Sequence, residues 1–163
     1  MNMNIPQEVP IKCYAVSIVM LRETHGAIEV LLLRRADALL NGEWFPIAGG
    51  IEAGETAWQA ALREIKEETG LTPDRLYSAD YCEQFYNADR DCVSLMPVFV
   101  GFLDTPQLVI LNHEHSEYRW MTFAEADAVL PFAIQRAMLQ HVFKQFIERQ
   151  PSKWLLIDTS EKL

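Results

Sequence analysis

The chain has 163 residues, of which half are apolar and 23% are charged, and its formal net charge is -9. This length suits one globular domain with a substantial core, so we predict a single domain over residues 1–163, with 151–163 as a C-terminal tail. The surplus of carboxylates argues against a general nucleic-acid-binding protein, because phosphate backbones are held by clustered Lys and Arg. An acidic protein can still bind phosphates through metal ions.

The cysteines and the hydropathy pattern bear on the compartment. Cys13, Cys82 and Cys92 are odd in number and lack CxxC spacing, which predicts reduced thiols rather than disulfides or a zinc site. The longest early apolar run, residues 15–21, is too short to span a bilayer, and no basic region leads into it as a secretory signal would require. We therefore expect a cytoplasmic protein with no membrane contact.

Alternating strand and helix patterns predict a mixed α/β domain. Runs rich in Val, Ile and Leu that are bounded by turn residues indicate strands, and Gly70 stands where a helix commonly ends in a left-handed residue. In chain order the predicted elements are strands at 14–21, 28–33 and 44–47, a helix at 56–69, strands at 76–85, 92–103 and 118–123, and a helix at 131–149.

The helix at 56–69 is predicted to have two different faces. Trp58, Leu62, Ile65 and Thr69 form the stripe that we expect to pack on the sheet. A second stripe carries three glutamates within an arc of about 100 degrees: Glu64, Glu67 and Glu68. Small residues, Ala57 and Ala60, precede the glutamates on this side, which predicts open space beside the carboxylates.

The clustered glutamates are unfavourable if they are only structural. Like charges at i,i+3 and i,i+4 spacing each cost a helix roughly 0.2 to 0.5 kcal/mol. Carboxylates in the last turn also oppose the helix dipole by about 0.3 to 1 kcal/mol. A divalent cation would reverse both effects, because hard cations bind converging carboxylate oxygens. A solvated acidic surface is the alternative.

The sequence around this helix, GGIEAGETAWQAALREIKEETGL from Gly49 to Leu71, resembles the Nudix box. The match covers every fixed position of that motif, which are Gly49, Glu55, Arg63, Glu64, Ile65, Glu67, Glu68, Gly70 and Leu71. The resemblance implies the Nudix fold, in which a mixed sheet lies between helices in an α/β/α sandwich. It also implies a loop-helix-loop motif that binds divalent metal and hydrolyses nucleoside diphosphates linked to another group.

The resemblance implies a role for five charged residues of the box. Glu64 and Glu68 would be the principal Mg²⁺ ligands, with Mn²⁺ as a substitute, and Glu67 would bind the metal directly or through water. Arg63 and Glu55 would form the ion pair that holds the loop to the helix. Bound cations would polarise a phosphoryl oxygen and lower the pKa of an attacking water.

The backbone before the helix completes the expected metal site. The paired Gly49 and Gly50 would let the backbone approach the metal and substrate closely. The carbonyl of Ala48 or Gly49 is a further expected ligand.

A second acidic cluster occupies residues 112–120, with the sequence AsnHisGluHisSerGluTyrArgTrp. It is similar to a segment of bacterial Nudix enzymes that act on (deoxy)nucleoside triphosphates and on dihydroneopterin triphosphate. On that analogy Glu114 would reach the metal site, as general base or as ligand; an exposed loop carboxylate is the alternative. We assign no role to His113 or His115.

Substrate contacts are less well specified by the sequence. Arg34 ends a strand that should lead toward the site, and its forked donors suit phosphate. Trp44 could stack on a base or pterin, or could belong to the core. Gln135 and Arg136, which open the last helix, are similar to a sequence near the ligand pocket of the triphosphate-hydrolysing relatives.

These features lead to a substrate hypothesis with alternatives. We expect Mg²⁺-dependent hydrolysis of a (deoxy)nucleoside triphosphate or similar triphosphate to the monophosphate and pyrophosphate, by a monomer or homodimer whose partner is a small nucleotide. ADP-ribose is disfavoured because the proline expected some fifteen residues beyond the box is absent. Tyr86 instead resembles the corresponding tyrosine of diadenosine polyphosphate hydrolases, which is the alternative enzyme. A nucleotide-sensing Nudix module is the non-enzymatic alternative.

Overall fold

The computed structural model describes residues 5–160, and this part of the chain forms one eight-stranded sheet flanked by helices. The strands are β1 (Ile11–Lys12), β2 (Ala15–Thr24), β3 (Ala27–Arg35), β4 (Trp44–Phe45), β5 (Ile47–Gly50), β6 (Arg75–Asn87), β7 (Cys92–Leu103) and β8 (His115–Met121). The α-helices are α1 (Ala57–Thr69), α2 (Phe123–Val129) and α3 (Ala133–Val142).

The sheet is mixed, as the sequence predicted. Strand β7 runs parallel to β1 and β2, and all other pairings are antiparallel: β2 with β3 and β5, β3 with β4 and β8, and β6 with β7. Strand β2 therefore pairs with β7 and with both β3 and β5. Strand β5, where the Nudix box begins, pairs with the first residues of β2.

Helices cover both faces of the sheet, which confirms the predicted α/β/α sandwich. Because successive strand residues point to opposite faces, Leu31 and Leu33 of β3 pack toward α1, where they meet Ile65. Val30 and Leu32 belong to the other apolar cluster, together with residues of α2 and α3. Strand β3 is thus buried on both faces.

Local signals define α1 as the sequence predicted. The Thr56 hydroxyl accepts a hydrogen bond from the Gln59 amide at 3.3 Å, and the Gln59 side chain accepts one from the Thr56 amide at 2.8 Å. At the other end Gly70 has φ of 71°, a left-handed conformation that glycine adopts without strain. The helix bounds match the prediction to within one residue.

Three predicted elements differ from the structure. The strand at 44–47 is divided at Pro46 into β4 and β5, which pair with different partners. The strand expected to reach Phe123 ends at Met121, because Thr122 caps the unpredicted helix α2 through Glu125. The last helix begins at Ala133 and widens into a π-helix at Phe143–Ile147.

The C-terminal tail, as far as residue 160, packs on its own chain. The Ile157 amide donates to the Leu76 carbonyl at 2.9 Å, and Leu156 pairs with Tyr77 of β6. Leu155 and Ile157 pack on the two apolar clusters, whereas Trp154 remains exposed. Within residues 5–160, no helix has the length and apolarity needed to cross a membrane.

Candidate active site

Helix α1 presents two of its glutamates to the sheet and one to solvent. Glu64 and Glu68 are buried, whereas Glu67 is exposed. The predicted open space beside them is absent, because Ala60 is fully buried in the core that α1 forms with the sheet. The buried carboxylates therefore continue a packed interface rather than line a wide cleft.

Arg63 ties the loop before α1 to the helix. Its Nη2 donates to Glu55 Oε1 and to the Gly50 carbonyl, both at 2.7 Å. Its Nη1 donates to Glu64 Oε1 at 2.7 Å and to Glu67 Oε2 at 3.2 Å. The pair of Arg63 and Glu55 that the sequence predicted is present, and the same guanidinium also contacts two of the expected metal ligands.

Gly49 and Gly50 differ in what surrounds them. A Cβ at Gly49 would occupy the position of the Glu64 carboxylate, so a larger residue cannot stand there without moving Glu64. A Cβ at Gly50 would meet only the Tyr14 carbonyl oxygen, at 3.8 Å. The absence of a side chain at Gly49 therefore leaves room for the Glu64 carboxylate.

Glu68 is a buried acid with other carboxylates nearby. Its Oε2 has no hydrogen-bond partner, and burial, followed by the charges of Glu64 and Glu114, raises the pKa of Glu68 to about 9. Arg35 and the Ala48 amide oppose this rise. Burial also raises the pKa of Glu64, although Arg63 opposes it. Burial and the neighbouring charges of Glu64 and Glu114 therefore oppose ionisation of Glu68 in the absence of a cation.

The loop before β8 brings Glu114 toward α1. The Glu114 carbonyl accepts a hydrogen bond from the Ala36 amide at 2.9 Å, just beyond the end of β3. The Glu114 amide donates to Asn112 Oδ1 at 3.2 Å. The charge of Glu114 acts on both Glu64 and Glu68. Residues far apart in sequence thus form one acidic cluster.

His115, to which the sequence analysis gave no role, is buried beside this cluster. Asn112 Oδ1 accepts from the Glu114 amide, which identifies it as an oxygen, and it lies 3.1 Å from His115 Nδ1. The proton of a neutral His115 therefore sits on Nδ1, and its Nε2 lone pair faces Glu68 Oε2 at 3.9 Å. Two acceptors face each other across a gap that a cation or a proton would bridge.

The donor set fits a divalent cation. Carboxylate oxygens of Glu64, Glu67, Glu68 and Glu114 and the backbone at Ala48 are the hard ligands that Mg²⁺ binds. A cation would offset the burial and neighbouring negative charge that oppose ionisation of Glu68, and it would give the unpartnered Glu68 Oε2 a partner. Among residues 5–160, however, no three His, Cys, Asp or Glu side chains already converge as a formed metal site, and Arg63 occupies Glu64 and Glu67.

The two arginines at the end of β3 have different partners. Arg34 donates to the Gly42 carbonyl at 3.0 Å and to Glu117 at 3.4 Å, away from the glutamates. Arg35 pairs with Asp37, and the charges of Glu68 and Glu114 act on it. The sequence analysis chose Arg34, whose contacts with Gly42 and Glu117 join segments that no local pattern identifies as neighbours.

The adjacent aromatic residues of β4 are divided in the same way. Trp44 packs against the apolar cluster beneath α3 and lies under the Arg119 guanidinium, 5.3 Å from the ring centroid. Phe45 instead lines a cavity and faces Phe132, with ring centroids 6.0 Å apart. Trp44 is thus half-buried at the edge of the core, and stacking on a base stays a prediction.

The cavity has a volume of about 630 Å³, within the range typical of small-ligand sites. Its walls are mostly apolar and aromatic, and Tyr86 and Phe132 are exposed on its rim. The residues that line it include Ser17, Arg35, Leu39, Phe45, Ala48, Glu83, Phe85, Tyr86, Met96, Phe132 and Gln135. Arg35 and Ala48 connect it to the acidic cluster, because both also act on Glu68.

Comparisons with known proteins identify the family to which the chain belongs. The NUDIX domain family model matches residues 12–143. The asymmetrical bis(5'-nucleosyl)-tetraphosphatase of Caenorhabditis elegans is 32% identical over 128 residues, which are 77% of this chain and 91% of that protein. A crystal structure of a C. elegans Ap4A hydrolase binary complex superposes with a TM-score of 0.70 at 28% identity, covering 83% of this chain and 96% of that one.

A more distant structure shows the fold alone. The Escherichia coli dihydroneopterin triphosphate pyrophosphohydrolase superposes with a TM-score of 0.65 at 23% identity, covering 82% of this chain and 96% of that one. The family match spans the sheet, the box helix and the acidic loop. The chain therefore belongs to the Nudix family and is a hydrolase of phosphoric anhydride bonds.

Proposed function

We propose that the chain cleaves the polyphosphate of a dinucleoside tetraphosphate asymmetrically, into a nucleoside triphosphate and a nucleoside monophosphate. The observation that carries the proposal is the junction of the two sites: the apolar cavity and the acidic cluster share Arg35 and Ala48. If the cavity holds a base, the phosphates of that nucleotide extend toward the glutamates. The similarity to the C. elegans tetraphosphatase, over most of both chains, supports this substrate.

Mg²⁺ is the proposed cofactor, held by Glu64, Glu67, Glu68, Glu114 and the Ala48 carbonyl. When bound, it would supply a Lewis acid for a phosphoryl oxygen and a water of lowered pKa. The chain's own contribution is to hold these oxygens. Arg63 fixes Glu64 and Glu67 at 2.7 and 3.2 Å, and the tether at Ala36 holds the loop that carries Glu114.

Arg35 is the proposed phosphate contact. Arg35 lines the cavity, where the polyphosphate of a bound nucleotide would extend from the base toward the glutamates. Asp37 now holds this fork of donors, and a phosphate would compete for it. Arg34 remains a prediction of the sequence, although its contacts with Gly42 and Glu117 direct it elsewhere.

A nucleoside triphosphate is the second candidate substrate, and the resemblance of residues 112–120 to triphosphate-hydrolysing enzymes supports it. The same cavity would hold its base, and cleavage would yield the monophosphate and pyrophosphate. We further propose that the protein works in the cytoplasm and that its partners are small nucleotides rather than nucleic acids.

Product analysis tests these proposals. Diadenosine tetraphosphate, the common (deoxy)nucleoside triphosphates and dihydroneopterin triphosphate are incubated with the protein and Mg²⁺, and the products are separated by anion exchange. We expect ATP and AMP from diadenosine tetraphosphate as the fastest reaction. Faster formation of pyrophosphate from a triphosphate would favour the second candidate, and no cleavage of any of them would overturn both.

A further inference from the structure

The deep end of the cavity carries polar side chains that the proposed catalysis does not use. Most of the wall is apolar, yet Glu83 of β6 and Gln135 of α3 line it while only 4% and 8% exposed. Burying polar groups is costly unless they gain partners. These two residues lie on facing elements, since α3 packs on β6 and His141 of α3 contacts the Ala79 carbonyl at 2.7 Å.

Glu83 is a buried carboxyl group whose pKa is raised above its ordinary value. Burial raises the pKa of Glu83, and a hydrogen bond with the Ser17 hydroxyl opposes this rise. A protonated carboxyl presents one donor beside one acceptor. An ionised carboxyl would present acceptors only.

Gln135 supplies a second donor and acceptor pair. It lies in the first turn of α3, and its Oε1 is buried without a hydrogen-bond partner. Because no bond holds Oε1 in place, the amide can turn to offer either its oxygen or its nitrogen to a ligand without losing a partner. An apolar residue of similar size would satisfy the packing at lower cost.

We propose that Glu83 and Gln135 recognise the amino-bearing edges of an adenine base in this cavity. Adenine carries its 6-amino donor between two ring acceptors, N1 and N7. A glutamine amide pairs with the amino group and N7, whereas the adjacent acceptors of guanine, O6 and N7, suit Arg or Lys. The cavity's Arg35 is held by Asp37, and no Lys lines the deep end. Glu83 then faces the amino group and N1.

This inference rests on the proposed function in taking the cavity as the base site, but its test needs no catalysis. Binding of AMP, GMP and purine riboside 5'-monophosphate, which lacks the amino group, is measured by calorimetry in the presence of EDTA. We expect AMP to bind at least about tenfold more tightly than either of the others, as one bidentate pair provides.

Variants then assign the preference to the two residues. Gln135→Leu and Glu83→Leu should each reduce the AMP preference several-fold, whereas Glu83→Gln, which keeps a donor and an acceptor, should retain it. Gln140→Leu is the matched control, since Gln140 lies on the same helix but bonds to Asp127 at the surface. Thermal unfolding is recorded for every variant, and if Glu83→Leu does not fold, Gln135→Leu and the wild-type ligand series still decide.

Equal binding of AMP and purine riboside 5'-monophosphate, tighter binding of GMP, or an unchanged AMP preference in Gln135→Leu would overturn the proposal. Adenine preference without hydrolysis of any polyphosphate would remove the proposed function and leave this inference standing. Hydrolysis without base preference would do the reverse.

Discussion

Glu68 and Glu83 are two acids with the same burial and different chemistry. They are 3% and 4% exposed, and burial is the largest cause of the raised pKa of both. Glu68 has the carboxylates Glu64 and Glu114 as neighbours, whereas Glu83 has the Ser17 hydroxyl and apolar walls. Neighbouring charge, rather than burial, therefore decides whether a buried acid suits a cation or a neutral ligand.

Replacing the carboxylates of α1 should produce the largest effect on activity. Glu68→Gln and Glu64→Gln should each lower kcat by about 10³-fold, because each removes a ligand from a cation whose charge stabilisation is worth several kcal/mol. Steady-state kinetics with saturating substrate and Mg²⁺ measures this loss. Glu148→Gln, at an exposed position beyond α3, is the control, and near wild-type rates in both box variants would remove the metal site from the account.

Glu114→Gln should slow the reaction by about a hundredfold or more, on the scale of a general base. If Glu114 is instead a metal ligand, excess Mg²⁺ should recover part of the loss, because added cation compensates weaker binding but replaces no base. A Mg²⁺ titration of kcat distinguishes the two roles. Glu117→Gln is the control, since Glu117 contacts Arg34 and Arg119. A larger loss of activity in Glu117→Gln than in Glu114→Gln would assign the catalytic role to Glu117, three residues further along the loop.

Gly49→Ala should lower kcat by about 10- to 100-fold, the scale of disturbing residues that orient metal ligands. The added methyl group would displace the Glu64 carboxylate. Gly50→Ala, whose methyl group would have room, should retain most activity. Equal losses in the two variants would show that the backbone, rather than the space for Glu64, is what the paired glycines provide.

Arg35→Ala should raise KM about tenfold with a smaller change in kcat, as expected for a contact made in both ground and transition states. Arg34→Ala should change KM little if the contacts of Arg34 with Gly42 and Glu117 persist during binding. Initial rates over a range of substrate concentrations give both constants. The reverse result would restore Arg34 as the phosphate contact.

The α1 residues show how much of the site was predictable. Local signals at Thr56 and Gly70 define the helix, and the spacing of the box identifies its glutamates, so both follow from the sequence. The roles that we propose for Arg35 and Glu83, and the position of His115 beside Glu68, were missed because they depend on which segments meet α1 and α3. That choice is made by packing between distant segments, which no local pattern records.

Two fold errors have local explanations. Pro46 lacks an amide proton, so it interrupts the hydrogen-bond ladder between β4 and β5. The single strand predicted at 44–47 therefore combined two strands that pair with different partners. The capping box at Thr122 and Glu125 was present in the sequence and would have ended the preceding strand before α2. The burial of Ala60 was less accessible, since small residues suit either a cleft or close packing.

The smallest expected effect concerns stability in the absence of metal. The pKa of Glu68 rises from its ordinary value of 4.5 to about 9 on folding, so between these values the folded state binds more protons than the unfolded state. Stability should therefore fall as pH rises through this window. Glu68→Gln should reduce that slope and raise Tm in EDTA at pH 8 by at least about 3 °C. Glu83→Gln should also raise Tm, but without changing the response to Mg²⁺.

Proton release on metal binding tests the central claim most directly, because a buried, protonated Glu68 must lose its proton to become a ligand. Mn²⁺ is titrated into the protein at pH 7.5 in a pH-stat, with bound ion followed by water proton relaxation. The account predicts release approaching one proton per ion for the wild type and for Glu83→Gln, and much less release with weaker binding for Glu68→Gln. Equal proton release and equal affinity in wild type and Glu68→Gln would contradict it.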